Sequence, residues 1–190
     1  MKFALPSLFL LFLLFSCKPA VSEKDIEIIT EKGKEISKST GKKLAGTLME
    51  KIKSGGIPHA IDFCNTAAIP LTDKVADSFN VAIKRASLKN RNPLNKPSDK
   101  EAAILKKYEA DLMNGVALKP VVETENGNAQ YYGPIIIESK CLMCHGTIDQ
   151  ELSRPIDSLI KAKYPEDLAT GYKEGDLRGI WSISFTDITP

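Results

Sequence analysis

The chain has 190 residues, with 26 Lys and Arg against 24 Asp and Glu and 43% hydrophobic residues. That length supports one domain with a real core. A net charge of +2 argues against a nucleic-acid partner, and no internal repeat or low-complexity stretch points to a solenoid or a disordered tail.

Met1-Lys2 opens the chain with one positive charge, residues 3–15 are almost wholly apolar, and Ser16-Cys17 follows. These are the n-region, h-region and small-residue site of a secretory signal. The apolar run is too short for a membrane span. Leu14-Phe15-Ser16-Cys17 resembles the bacterial lipobox, in which lipid is placed on the cysteine and the chain is cut just before it; an ordinary signal peptide with an incidental cysteine is the alternative. The expected organisation is a lipoprotein signal peptide over residues 1–17, a polar tether over 18–24 and a single domain over 25–190. Lipidation at Cys17 predicts a protein anchored in the cell envelope, facing the periplasm.

From Asp25 to Lys53 the positions Ile29, Ile36, Thr40, Leu44, Leu48 and Ile52 keep helical spacing, and Gly55-Gly56 ends the run. Pro58 suits the first turn of a second helix, whose face is Ala60, Ile61, Cys64, Ala67 and Ala68. Pro70 bends or restarts the chain, and Leu71, Val75 and Phe79 predict the stripe of another helix. Residues 81–88 alternate as a strand, and 89–97 read as a loop. Ser98 and Glu101 form a capping box for a helix carrying Ala102, Leu105, Tyr108 and Leu112, stopped by Gly115. Residues 116–125, Asn126-Gly127 and 129–137 predict a hairpin. Residues 156–163 read as a short helix, 164–178 as a loop or short helices, and 179–185 as a final strand. This mixed order predicts an α+β domain: a small antiparallel sheet with flanking helices and a long N-terminal helix.

The second hairpin arm runs into Cys141-Leu142-Met143-Cys144-His145. C-x-x-C-H is the attachment string of a c-type haem: two thiols add across the haem vinyl groups, and the following histidine becomes the proximal iron ligand. C-x-x-C also occurs in zinc sites and redox pairs. Cys141, Cys144, Cys64 and His59 could supply the four ligands that zinc needs. Of the four cysteines, Cys17 is assigned to lipid and Cys141 and Cys144 to haem, which leaves Cys64 as either a small buried hydrophobe or a soft ligand for the iron. His59, Met49 and Met113 are the other side chains open to the sixth position, as is a water-bound or vacant one. Arg85, Arg91 and Arg178 are candidates to pair the haem propionates, with Tyr132 and Tyr172 as further hydrogen-bonding partners.

Residues 87–95, Ser-Leu-Lys-Asn-Arg-Asn-Pro-Leu-Asn, resemble a family segment S-L-K-x-R-N-P-x-N. Cys141 to Gly146 resembles C-L-x-C-H-G, and residues 164–167 and 171–179 resemble closing Y-P-x-D and G-Y-x-x-G-D-x-R-G strings. On these motifs the chain resembles a PAS-like, single c-type haem family of unknown function, over roughly residues 25–185. Members occur alone or fused to signalling modules such as histidine kinases. The resemblance implies a PAS-like sheet and an unusual axial pair, carried here by His145 and Cys64.

The functional expectation is an exported, lipid-anchored monohaem c-type cytochrome domain acting as a redox or gas sensor. Its partners would be a diatomic gas or a redox or signalling protein. Low-potential electron transfer is the first alternative, and a structural or zinc-binding module without haem the second. No nucleophile–base pair or paired-carboxylate site stands out, so no enzymatic activity is expected.

Overall fold

Ser22 starts the first helix. Its hydroxyl accepts from the Asp25 N–H while the Asp25 carboxylate accepts from Ser22, so orphan donors at the helix N-terminus are satisfied. The computed structural model describes residues 21–186. The signal segment and Cys17 lie outside them. Helix α1 spans Glu23–Thr66, so it begins inside the expected tether. One stripe of it is buried: Ile29, Gly33, Ile36, Thr40 and Leu44. Gly33 is required there, because a Cβ would lie 2.2 Å from a Tyr131 ring carbon.

The expected break appears at Gly55-Gly56, where Gly56 takes φ 73°. The second limb of α1 follows with Pro58 in its first turn and buries Ala60, Ile61 and Phe63. Phe63 lies outside the predicted face, and Cys64 beside it is only partly buried. Helix α2 (Ala68–Phe79) is rotated from expectation. Its buried line is Ala68, Thr72 and Ala76, whereas Phe79 is 37% exposed. Small side chains form the line of closest approach, and the larger Leu71 and Val75 are partly buried beside it.

Four strands follow: β1 (Ala82–Ala86), β2 (Val121–Glu125), β3 (Asn128–Ile136) and β4 (Leu177–Phe185). They form one antiparallel sheet in the order β1-β4-β3-β2. Asn126 and Gly127 both have positive φ, as a two-residue hairpin turn of type I′ requires. The first hairpin arm is shorter than predicted. Pro120 has no N–H to give to a ladder, so pairing starts at Val121.

The alternation of β4 separates two cores. Ile183 and Phe185 face α1 together with Ile83, Ala129 and Tyr131. Ile180 and Leu177 face helix α3 (Asp99–Met113), meeting Leu105 and Tyr108. The Ser98–Glu101 capping box forms as expected, and buried Glu101 also takes a 2.7 Å ion pair from Lys84 on β1. Helix α4 (Leu142–His145) carries most of the C-x-x-C-H string, and α5 (Arg154–Lys163) packs against the second limb of α1. No described helix is long and apolar enough to cross a membrane.

Candidate functional site

A 3-10 turn over Ser139–Cys141 passes directly into α4, so Cys141 and Cys144 sit one helical turn apart. Both thiols are free and partly buried. Burial pushes the Cys144 thiol up to about 11, partly offset by the Arg91 cation. His145 ends the turn. Its Nδ1 lies 2.8 Å from the carbonyl oxygen of Ala169. A carbonyl only accepts, so Nδ1 carries the hydrogen and Nε2 keeps its lone pair. Among the described residues no protein atom hydrogen-bonds Nε2. Burial, then the cations Arg178 and Arg91, hold the ring well below the ordinary histidine range and therefore neutral. A neutral imidazole whose rear N–H is fixed by a backbone carbonyl is the arrangement of a metal-ligating histidine.

The segment bearing Ala169 is laced along the turn. Gly171 N–H donates to Gly146 O at 2.9 Å, and Tyr172 N–H donates to His145 O at 3.0 Å. The Tyr172 ring meets His145 edge-on with centroids 6.2 Å apart. Lys89 and Arg178 both lie over the Tyr172 ring, at 4.3 and 5.5 Å. Gly146 has no room for a side chain, since a Cβ would stand 2.6 Å from Leu142 O.

The three arginines have different tasks. Arg91 places Nε on Asp167 Oδ1 and Nη2 on Asp167 Oδ2, both at 3.1 Å, and Nη2 also donates to Cys144 O at 2.7 Å and Ala169 O at 3.0 Å. It therefore braces the C-x-x-C-H turn. Arg178 donates to Ser87 Oγ at 2.8 Å and Lys89 O at 3.1 Å. Arg85 makes no ion pair with any described residue. Arg85 and Arg178 line a recess of about 130 Å³ together with His145, Ser87, Asn95 and Ile135. No carboxylate lines it. Gly179 forms part of its wall, where a Cβ would come within 2.4 Å of Ala86 O. The recess is too small for a macrocycle and suits an anionic arm of one. Three larger clefts, of about 460 to 680 Å³, are lined by no cysteine or histidine.

Cys64 lies on the second limb of α1, among Phe63, Ala67, Leu71 and Trp181. Burial raises its thiol, and Arg85 and Arg91 pull it back toward the thiolate. Arg85 also acts on His145, and the Cys64 thiol helps to raise that of Cys144. The fold thus gathers Cys64, Cys144, His145 and Arg85 into one electrostatic neighbourhood, although Cys64 does not line the recess.

The rival ligands lie elsewhere. His59 and Met49 are exposed, and Met113 is 88% exposed. No three His, Cys, Asp or Glu side chains among the described residues gather as a metal site. Tyr132 is buried against α3, with Leu105 and Tyr108. Sequence reasoning missed Asp167 and the Ala169 carbonyl. The only signal for them was the Y-P-x-D string.

The family model described as Tll0287-like: Tll0287 matches residues 20–186. Among solved structures, the crystal structure of the cyanobacterial heme-protein Tll0287 aligns with a TM-score of 0.60 at 20% identity. The alignment covers 89% of this chain and 99% of that one, and at this identity the likeness is one of fold. No curated protein matches the sequence. Because the family model spans all of the described residues, the chain belongs to the Tll0287-like family.

Proposed function

We propose that this chain is a haem protein of c type. Cys141 and Cys144 would form the two thioethers, His145 Nε2 would be the proximal iron ligand and Cys64 the second axial ligand. The observation that carries the reading is the state of His145: neutral, with Nδ1–H fixed by Ala169 O and Nε2 free, directly after two free thiols one turn apart. The fold relative is itself described as a heme-protein, which supports the cofactor. Arg85 and Arg178 would hold the carboxylate arms in the acid-free recess. The sheet with flanking helices is consistent with a PAS-like module.

When bound, the haem would supply one-electron chemistry and a site for diatomic gases. The chain's own residues set how it is used. Thiolate ligation favours ferric iron, and loss of Cys64 on reduction would open a coordination position. We therefore infer redox or gas sensing as the role, with low-potential electron transfer as its rival. The N-terminal signal and the lipobox-like string support lipid anchoring in the cell envelope, the compartment in which covalent haem attachment takes place.

Protein matured with haem-attachment machinery should gain the mass of one haem and show a Soret band. Cys64→Ala should change the ferric spin state and raise the reduction potential. Intact mass without an added tetrapyrrole would refute the haem reading. A reduced protein indifferent to carbon monoxide at every accessible pH would favour the electron carrier over the sensor.

A further inference from the structure

We propose that Arg91 is a positioning residue that tunes His145 through a shared acceptor, the carbonyl of Ala169. The inference deepens the haem reading and rests on it. His145 Nδ1–H and Arg91 Nη2–H donate to the same oxygen, at 2.8 and 3.0 Å. Two donors on one carbonyl draw on the same electron density, and a cationic donor draws harder. The guanidinium thus weakens Ala169 O as an acceptor for the imidazole. A weaker bond at Nδ1 leaves Nε2 less basic, because the bond made by one ring nitrogen sets the donor strength of the other.

Asp167 moderates this effect. Its carboxylate takes Nε and Nη2 of Arg91, and its Oδ1 also accepts from the Ala169 N–H at 2.9 Å. Nη2 has two hydrogens and faces three acceptors: Asp167 Oδ2, Cys144 O and Ala169 O. Asp167 therefore competes with Ala169 O for the guanidinium. The two side chains are 11% and 0% exposed, so bulk water has little access to take over these bonds. Arg91 draws and Asp167 damps, and His145 receives the difference.

The test is made on protein whose covalent haem is verified by mass. It reads the reduction potential and, in a Cys64→Ala background, the ferrous iron–histidine stretching frequency. Arg91→Lys keeps the charge and loses the planar fork, so His145 keeps Ala169 O to itself; the stretch should rise and the potential fall. Asp167→Asn leaves the guanidinium uncompensated and freer for Ala169 O; the stretch should fall and the potential rise. Shifts of opposite sign support the tuning. Shifts of the same sign, no shift in either variant, or failure of both to load haem mark a merely bracing role and overturn it. If only Arg91→Lys fails to load, Asp167→Asn decides: a lower stretch supports the inference, and an unchanged or higher one overturns it. Wild-type protein without covalent haem would instead overturn the underlying reading.

Discussion

Gly179→Ala tests whether the wall of the recess depends on close approach of two strands. Gly179 sits in β4 and is buried. An added Cβ would lie 2.4 Å from Ala86 O and 3.2 Å from Ser87 Cβ. Contacts below 3.0 Å are essentially never made by real Cβ atoms, so something must move. The obstacle is a backbone carbonyl of β1 next to the strand's register with β4, which cannot rotate away as a flexible side chain could. Overpacking costs about 1–3 kcal/mol, and a fixed obstacle places this case near the top of that range. The lower backbone entropy of alanine returns about 0.5–1 kcal/mol. The expected net loss is about 2 kcal/mol, or about 1 M in the urea midpoint for a slope of about 2 kcal/mol/M. Unfolding followed by far-ultraviolet circular dichroism reads this directly. Gly46→Ala is the control: nothing lies within 4 Å of its Cβ, and helix propensity predicts a gain of up to about 1 kcal/mol. A Gly179→Ala midpoint equal to or above wild type would refute the reasoning. Because Ser87 lies against the new methyl and accepts from Arg178, the same variant should also shift the reduction potential of the haem-loaded protein.

Three further outcomes are expected. Burial raises the Glu101 carboxyl, but hydrogen bonds from Lys84, Ser98 and Ser182 outweigh it and hold the group below its ordinary value of 4.5. Its stabilisation is therefore present above pH 4.5 and lost as pH falls through the lower folded value; urea midpoints of Glu101→Gln should lack this part of the acid slope. Tyr172→Leu removes the ring beneath Lys89 and Arg178 and should cost about 1–2 kcal/mol beyond Tyr172→Phe, which keeps it; equal midpoints would count against the cation–π stack. Arg85→Met removes a cation with no carboxylate partner and should lower the reduction potential of the haem-loaded protein, since a nearby positive charge disfavours ferric iron. An unchanged potential in spectroelectrochemical titration would place Arg85 away from the iron.

Short-range chemistry was legible from the residues alone. Ser98 with Glu101 announces a helix start, Asn126-Gly127 a tight hairpin and Gly55-Gly56 a break. In each case the groups that interact lie within a few residues, so their energies do not depend on how the rest of the chain folds. The α+β class was readable for the same reason, from the order of local periodicities.

Other features required the folded chain. The rotation of α2 was decided by which of its two apolar lines could approach its neighbours most closely, and Ala68, Thr72 and Ala76 are smaller than Leu71, Val75 and Phe79. The tautomer of His145 was decided by Ala169, 24 positions away, and the task of Arg91 by Asp167, 76 positions away. An arginine fork fits any carboxylate, and only the tertiary arrangement shows that Asp167 meets this one. A backbone carbonyl such as that of Ala169 leaves no mark in a sequence, since every residue has one; its selection as acceptor is made by chain closure.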